Sequence, residues 1–317
     1  MNESALQPNA AETGLYPIRT VSRLTGVNSV TLRAWERRYG LVTPHRTAKG
    51  HRLYTEQDID RINRIVGLVN RGIPISQVEQ HLQDRDAAGG AEAAGDTWRV
   101  PRERMLAAIT RFDEAALDTA YNEALSLYPV DVVTEQLINP LLRELGERWR
   151  EQPGGIAEEH FFGTYMRNKL GARLHHLAAR HTRPRLLAAC LPGEHHELGL
   201  LLFCLAASTH GIGFVILGAD MPLDDLREAL PRSQCDGVLL SGSIDIASDT
   251  VGRDLRRLVD AAGCPVFVGG YTAVAQQDLV ARSGAVPLGT DTAVAIRRLT
   301  EILEQHDGEA HHHAHRV

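Results

Sequence analysis

The stretch PRLLAACLPGEHHELGLLLFCLAASTHG, residues 184–211, decides how the C-terminal part of this 317-residue chain folds. The apolar run at its start predicts a buried strand, and the longer apolar run that ends at Gly211 predicts a helix. Between them the polar residues EHHE, 194–197, interrupt an aliphatic neighbourhood. Residues of these types allow three interpretations here: a metal site, an acid/base site, or a polar helix start without chemistry.

Strand-like and helix-like runs alternate about every 20 to 30 residues through the C-terminal third of the chain. This alternation predicts a Rossmann-like domain over residues 183–306, built on a doubly wound parallel sheet. Ligands bind beyond the carboxyl ends of the strands in such sheets. The segments LPGEHHELG, LLSGS and VFVGG are therefore expected to meet at one rim.

The composition argues against several classes of protein. Hydrophobic residues make up 43% of the chain, an ordinary share for a packed protein, and no apolar run reaches the length of about 18 residues that predicts a membrane span. Because residues 1–14 lack a secretion signal, we expect a cytoplasmic protein with no membrane contact. The four cysteines form no Cys-x-x-Cys pair, which argues against a disulfide framework and a cysteine-bound zinc.

Charge is distributed unevenly along the chain, whose net charge is -6. Residues 1–85 hold 12 Lys and Arg against 8 Asp and Glu, and from Arg19 to Arg52 eight basic residues accompany one acid, Glu36. The remainder holds 22 basic and 32 acidic residues. A basic module on an acidic body is the pattern expected when one end of a protein meets a phosphate backbone.

The basic module, residues 15–85, is predicted to be a winged helix-turn-helix. In residues 16–42 two short helices flank Gly26, and the second is expected to enter the major groove of DNA. In residues 43–58 a turn at Gly50 predicts a hairpin wing that leads into a helix capped by Thr55. The residues predicted to contact double-stranded operator DNA are Ser29, Thr31 and Arg33 at base edges, with Arg37, Arg38, Arg46, Lys49, Arg52 and Tyr54 beside them.

The middle of the chain predicts a linker and a bundle. Residues 86–100 are rich in Gly and Ala, which is typical of a flexible linker. Over residues 101–182 apolar side chains recur at spacings of three and four, which predicts a compact four-helix bundle. Residues 307–317 are rich in His and predict a disordered tail. The expected fold class is therefore multidomain α/β, with these parts in this order.

Several N-terminal motifs resemble the DNA-binding domain of MerR-type transcription regulators. They are IRTVSRLTGV at residues 18–27, LRAWERRYGL at residues 32–41, and Arg46, Gly50, His51, Arg52 and Tyr54 of the wing. The chain lacks the long dimerisation helix and the cysteine metal loop of the MerR metal sensors. The resemblance implies DNA binding and leaves the signal to the rest of the chain.

Spacing in the C-terminal domain is similar to the cobalamin-binding pattern Asp-x-His-x-x-Gly, Ser-x-Leu, Gly-Gly of methionine synthase and corrinoid proteins. His196 and Gly199 give the His-x-x-Gly element. Forty-one residues separate Gly199 from Ser241, and 25 residues separate Ser243 from Gly269. Ser243 occupies the position of the Leu in the middle motif. These residues are therefore candidates for cofactor contacts.

This resemblance implies a role for each matched residue. His196 would be the lower axial ligand of cobalt, and Glu194, which stands in place of the Asp, would support it. Ser241 would contact the nucleotide tail, and Gly269 and Gly270 would leave room for that tail.

A second signature lies in the predicted bundle. Trp149, followed after nine residues by Glu159 and His160, resembles the Trp-x9-Glu-His signature of the CarH/LitR photoreceptor repressors. By this resemblance the Trp would shield the upper axial group of the cofactor, with Glu159 and His160 beside it. The bland alternative is a Trp in a core and a Glu-His pair that complements a helix dipole.

The order of the three domains resembles a cobalamin-dependent, DNA-binding repressor of the CarH/LitR type. The resemblance implies adenosylcobalamin as cofactor, with methylcobalamin as an alternative, and a homo-oligomer, dimer or tetramer, on operator DNA. It also implies that light breaks the cobalt–carbon bond and releases the DNA, and that the chain is not an enzyme. In the light-sensing relatives a His that captures cobalt follows the Trp, whereas this chain has Arg150, which cannot ligate a metal.

Three rival functions remain at this point. A light-independent cobalamin-responsive regulator would have the same domains, and a corrinoid methyl carrier would share the bundle and the sheet. A mutase subunit would also need a substrate barrel of about 250 residues, for which no sequence remains here.

Overall fold

A computed structural model describes the chain over residues 15–47, 49–84, 97–178, 184–243 and 249–314. The chain divides into two compact units, residues 1–162 and 163–317. Among the described residues no helix combines the length and the apolar character that a membrane crossing requires.

The N-terminal unit starts with a small sheet and four α-helices. Its strands are β1 (Leu15–Pro17), β2 (His45–Arg46) and β3 (Arg52–Thr55), antiparallel in the order β1-β3-β2. The helices are α1 (Ile18–Thr25), α2 (Ser29–Ala34), which continues into a π-helical segment (Trp35–Tyr39), α3 (Glu56–Asn70) and, after a 3-10 turn (Ile75–Gln77), α4 (Val78–Asp84).

Local sequence signals account for these boundaries. Gly26, in the left-handed conformation at a φ of 71°, ends α1, and the side chain of Asn28 accepts hydrogen bonds from two backbone amides at the start of α2. Thr55 and Asp58 form a reciprocal capping box at the start of α3. The predicted helix-turn-helix, hairpin wing and Thr55 cap are thereby confirmed.

The remainder of this unit is helical. Its elements are α5 (Arg99–Thr110), α6 (Glu114–Leu127), α7 (Val130–Val133), a π-helical segment (Thr134–Ile138), α8 (Asn139–Glu151) and α9 (Gly155–Ala178), the last of which continues into the second unit. Trp98 is 4% exposed and stacks on Tyr128 with ring centroids 4.5 Å apart. The predicted linker is therefore wrong at its C-terminal end, because this aromatic contact draws residues 97–100 into the helical region; residues 85–96 lie outside the described ranges.

The second unit holds the parallel sheet. Its strands are β4 (Arg185–Cys190), β5 (Gly213–Gly218), β6 (Gly237–Ser241), β7 (Val266–Gly269) and β8 (Val286–Gly289), in the order β5-β4-β6-β7-β8. The helices are α10 (Leu198–Thr209), α11 (Leu223–Ser233), α12 (Asp249–Ala262), α13 (Tyr271–Ala275), α14 (Gln277–Arg282) and α15 (Thr292–Ala314). This arrangement confirms the predicted doubly wound fold.

Strand register decides where the loops emerge. Cys190 pairs with Ser241, and Ser241 pairs with Gly269, so β4, β6 and β7 end side by side. The prediction that their loops share one rim is confirmed. The disordered tail predicted for residues 307–317 is wrong over residues 307–314, because α15 continues to Ala314; residues 315–317 lie outside the described ranges.

The cysteines belong to the sheet unit and all four are free thiols. Cys190 and Cys204 are buried, and burial raises the pKa of Cys190 to about 12. A thiol with so high a pKa is a poor nucleophile at neutral pH, in keeping with a packing role.

Candidate cofactor site and DNA interface

The ligand loop, residues 191–197 between β4 and α10, is organised around the buried carboxylate of Glu194, which is fully shielded from solvent. Oε1 of Glu194 accepts the backbone N–H of His196 at 2.7 Å and lies 2.9 Å from Nδ1 of its ring. Oε2 accepts both the backbone N–H and the hydroxyl of Ser243, each at 2.5 Å. Four contacts thus satisfy a carboxylate that burial would otherwise penalise.

These contacts determine the charge of Glu194 and the tautomer of His196. Burial acts to raise the pKa of Glu194, but hydrogen bonds from Ser243 and His196 outweigh it, so the pKa lies below its usual value. An ionised carboxylate favours a proton on Nδ1 of His196 and leaves Nε2 with a free lone pair. The His196 side chain is 64% exposed, so Nε2 is available to a ligand beyond the rim.

The glycines around this imidazole have different roles. A Cβ on Gly199 would meet nothing within 4 Å, and one on Gly269 would meet only the Leu240 carbonyl, at 4.0 Å. Gly270 has a φ of +85°, and a Cβ there would lie 2.4 Å from the Gly242 carbonyl oxygen. The prediction that both members of the Gly-Gly pair leave room for a ligand is corrected: Gly269 faces open space, whereas Gly270 is required by the contact between two loops.

The rim as a whole fits a flat macrocycle that brings its own equatorial ligands. It offers the exposed imidazole of His196, which is backed by an anion and flanked by open glycine surface. Among the residues that the structure describes, no three His, Cys, Asp or Glu side chains cluster as a metal-binding group. His195, the other member of the histidine pair, is exposed, and Ser241 is partly exposed at the end of β6, where its carbonyl accepts the Leu191 N–H at 2.9 Å.

Three contacts of the ligand loop were not predicted from the sequence. The spacing of Ser243 predicted a cofactor contact, but its backbone N–H and its hydroxyl donate to Glu194. Arg167 of α9 reaches Glu197 at 2.5 Å, and Asp220 accepts the Gly193 N–H at 2.7 Å. The only sequence signal was the need of a buried acid for donors, and that need does not say which distant residues supply them.

The second set of predicted site residues surrounds the α8–α9 turn in the N-terminal unit. Trp149 is 45% exposed near the end of α8, Glu159 is half-buried and His160 is exposed. A Cβ on Gly155 would lie 2.5 Å from the Arg148 carbonyl oxygen, so the two helices touch backbone to backbone.

A bidentate ion pair fixes this turn. The Arg148 guanidinium donates to both oxygens of Glu158, at 2.9 and 3.2 Å, and Glu158 is only 8% exposed. Trp149 directly follows the arginine of this pair in the chain. The roles of Arg148, Gly155 and Glu158 were not predicted from the sequence. The sequence Pro-Gly-Gly at 153–155 and the acidic pair at 158–159 indicated only that a turn between two helices lies here.

The DNA-binding module presents a basic outer face. Arg33, Arg37 and Arg38 are exposed on α2 and its π-helical extension, Lys49 is exposed at the wing tip, and Ser29 is partly exposed. These five residues keep the accessibility that contact with DNA requires.

The two arginines of the wing, Arg46 and Arg52, bind the carboxylate of Glu36. Glu36 accepts Arg46 at 2.6 Å and Arg52 at 2.5 Å, which ties the wing to the π-helical segment. Burial acts to raise the pKa of Glu36, but hydrogen bonds from Arg52 and Arg46 outweigh it and lower the pKa. Arg46 remains about half exposed and Arg52 is mostly covered, so both arginines position the wing.

Two predicted DNA contacts are wrong. Thr31 is fully buried, and its hydroxyl donates to the Leu125 carbonyl at 3.3 Å beside a second contact, from the Trp35 indole to the Leu127 carbonyl at 2.7 Å. Tyr54 is also fully buried, and burial raises its pKa to about 12. Thr31 packs against the end of α6, and Tyr54 belongs to the core beneath the wing.

Three family models match parts of the chain. A model described as the MerR HTH family regulatory protein matches residues 16–85. Two models, both described as B12 binding domain, match residues 101–174 and 184–297.

Similar proteins extend over most of the chain. It is 33% identical to the HTH-type transcriptional repressor CarH of Myxococcus xanthus over 84% of this chain and 92% of the relative. It is 30% identical to the HTH-type transcriptional repressor CarA of the same organism, over 81% and 86%. Among solved structures, the monomethylamine corrinoid protein of Methanosarcina barkeri matches 64% of this chain and 99% of its own, at 20% identity and a TM-score of 0.49.

Proposed function

This chain belongs to the family of MerR-type, cobalamin-binding transcriptional regulators that includes the CarH repressor, and we propose that it represses genes in response to adenosylcobalamin and light. The observation that carries the proposal is the ligand loop. An exposed imidazole stands on a buried, ionised glutamate at the carboxyl edge of a parallel sheet, where the neighbouring glycine surface is open.

The chain's own residues would act as follows. His196 would hold cobalt through Nε2, while Glu194, itself held by Ser243, would keep the ring in one tautomer and orientation. Gly199 and Gly269 leave the surface open on which the cofactor and its tail would lie. When bound, adenosylcobalamin supplies a cobalt–carbon bond that light can break.

The resemblance to the Trp-x9-Glu-His signature assigns Trp149 the role of excluding water from the upper axial group, with Glu159 and His160 beside it. The ion pair between Arg148 and Glu158 would fix the turn between these residues. Arg150 provides no metal ligand at the place where the light-sensing relatives have a His. We infer that water or another histidine, rather than the residue after the Trp, occupies the upper face of cobalt after illumination.

In the N-terminal module Arg33, Arg37, Arg38 and Lys49 would meet operator DNA in the cytoplasm, with Ser29 at the start of the recognition helix. Arg46 and Arg52 would present the wing through Glu36. Binding as a homo-oligomer, dimer or tetramer, would place several such modules on one operator, and the methyl form of the cofactor is the alternative ligand.

A light-independent regulator is the second candidate, and the absence of the cobalt-capturing His at Arg150 favours it. One experiment separates the candidates: operator binding by the full chain, measured by fluorescence anisotropy without cofactor, with methylcobalamin and with adenosylcobalamin, in darkness and after green light.

Tight binding only with adenosylcobalamin in darkness supports light-controlled repression. Binding that depends on cobalamin but is equal in darkness and light supports the second candidate. DNA binding unaffected by either cobalamin, or no cobalamin binding at all, would overturn both. An absorption spectrum after illumination that shows neither water nor a second imidazole on cobalt would contradict the inference about the upper face, and loss of a bis-imidazole spectrum in His160→Ala would identify His160 as the histidine.

A further inference from the structure

The connection between β5 and α11 contacts the ligand loop at two points and the last residue of β4 at a third. Oδ1 of Asp220 accepts the Gly193 N–H at 2.7 Å, and the backbone N–H of Asp220 donates to the Glu194 carbonyl at 2.8 Å. The N–H of Met221 donates to the Cys190 carbonyl at 3.2 Å. Asp220 thus supplies one acceptor and one donor to the loop that carries His196, and Met221 supplies a donor to the strand end from which that loop leaves.

Asp220 makes these contacts in an unfavourable backbone conformation. Its φ is 47°, a left-handed value that only Phe112 and Gln234 share among the described non-glycine residues. Asp tolerates this region better than most residues, yet the conformation persists only where surrounding contacts over-determine it. Gly193, which donates to the Asp220 side chain, is also left-handed, at 81°. Two turns are therefore locked against each other.

We propose that the Asp220 side chain is a positioning group for the cobalt ligand: it fixes the backbone of Gly193, directly before Glu194, while Ser243 fixes the Glu194 carboxylate. Glu194 is then held at both ends, since Asp220 binds its carbonyl oxygen and Ser243 binds Oε2. Only Oε1 remains to receive the imidazole. Without the Asp220 side chain the 191–193 turn can relax, and the carboxylate and the ring move with it.

This inference rests on the proposed function, in which His196 ligates cobalt. Asp220 itself is exposed, and its side chain binds the Gly193 backbone rather than the imidazole. Its effect would therefore pass entirely through the loop, and it would change ligand geometry without contributing a ligand. A structural residue of the sheet, by contrast, would change stability and leave ligation intact.

The test uses the full chain in three variants. Asp220→Gly removes the acceptor but suits the left-handed backbone, so the fold is preserved. Asp220→Asn keeps an acceptor oxygen and tolerance of the same conformation. Gln234→Gly is the matched control, because Gln234 is exposed, has a φ of 54° and ends α11 in the same domain.

Each protein is produced with ¹⁵N-labelled histidine and loaded with cob(II)alamin, and electron paramagnetic resonance reports whether a histidine nitrogen ligates cobalt. Cobalamin dissociation constants are measured alongside, below the melting temperature of every variant. For Asp220→Gly we expect a fall in affinity of about 10- to 100-fold and a reduced histidine-bound fraction. Asp220→Asn should recover most of both, and Gln234→Gly should match the wild type.

Wild-type affinity and full histidine ligation in Asp220→Gly would overturn the inference about Asp220 alone. A wild-type protein that binds cobalamin without any histidine nitrogen signal would instead overturn the proposed role of His196, on which the inference rests. Equal losses in Asp220→Gly and Gln234→Gly would also count against it, because backbone flexibility would then explain the effect.

Discussion

The ligand loop of the sheet and the wing of the DNA-binding module are both organised around one glutamate, but by different means. Glu194 is fully buried, and its partners are backbone amides, a hydroxyl and an imidazole. The Glu36 side chain is 14% exposed, and its partners are two guanidinium groups of the wing. The charge of Glu194 acts on a histidine, whereas the charge of Glu36 is neutralised by two arginines.

This difference sets the scale of what mutation can do. Buried contacts are made at fixed geometry and are little screened by salt, so the rim of the sheet should respond strongly and independently of ionic strength. Ion pairs near the surface contribute little and weaken in salt, so the wing should respond weakly. The predictions that follow move from the rim to the wing.

Gly270→Ala should have the largest effect. The new Cβ would lie 2.4 Å from the Gly242 carbonyl oxygen at a φ of +85°, and the combined clash and strain should lower the free energy of unfolding by about 3 kcal/mol or more. Gly269→Ala is the control, and it should change stability by less than about 1 kcal/mol while weakening cobalamin binding. Urea unfolding and cobalamin titration measure the two effects, and equal destabilisation by both variants would contradict the distinction.

Glu194→Gln should weaken cobalamin binding by about 10- to 100-fold, because a neutral amide cannot hold His196 as a carboxylate does. His195→Ala, in the exposed neighbour, should leave the dissociation constant unchanged. Absorption titration with hydroxocobalamin measures both. If the two variants lose affinity equally, the assignment of different roles to the two histidines is wrong.

Glu36→Gln should weaken operator binding by roughly three- to tenfold, because the charged contacts with Arg46 and Arg52 that fix the wing are lost. The loss should shrink as salt is raised from 50 to 300 mM, on the order of the range over which surface pairs are screened. Asp60→Asn, at an exposed acid of α3, is the charge-matched control. An unchanged affinity in Glu36→Gln would show that the ion pairs of Glu36 with Arg46 and Arg52 do not position the wing for DNA binding.

Arg37→Ala should reduce affinity by a few-fold for every DNA sequence and lower the slope of log K against log salt by about 1, as expected for loss of one phosphate contact. Thr31→Ser, at a buried position that keeps its hydroxyl, should leave the slope unaltered. Anisotropy titrations at several salt concentrations provide the slopes. A change of slope in Thr31→Ser would mean that this residue reaches DNA after all.

The smallest effect concerns pH. The pKa of Glu36 is lower in the folded protein than its ordinary value of 4.5, so its ion pairs stabilise the fold above that pH and cease to do so as pH falls through the folded value. The melting temperature of the wild type should therefore exceed that of Glu36→Gln by a small margin at pH 7. The margin should shrink as the pH falls below 4.5 and vanish once the pH lies below the lowered pKa of the folded protein. A margin that grows in acid would reverse the assigned sign.

Much of the fold was predictable because its signals are local. The spacing of apolar residues, Gly26 between two short helices, and Thr55 three residues before Asp58 each act within a few residues of the chain. Failures occurred where distant residues compete for the same segment. Trp98 does not belong to a linker because its ring packs against that of Tyr128. Thr31 does not face DNA because the end of α6 covers it.

For the candidate site, the sequence by itself determined the chemistry: a histidine with an acid two residues before it, glycines at strand ends, and a Trp followed at fixed spacing by Glu-His. Spacing along one chain carries that information because strand order brings the loops together. Only the tertiary structure decided which groups support those residues. Ser243, Asp220 and Arg148 act through hydrogen bonds whose geometry arises once the chain has packed, since a buried carboxylate requires donors but its sequence neighbours do not specify them.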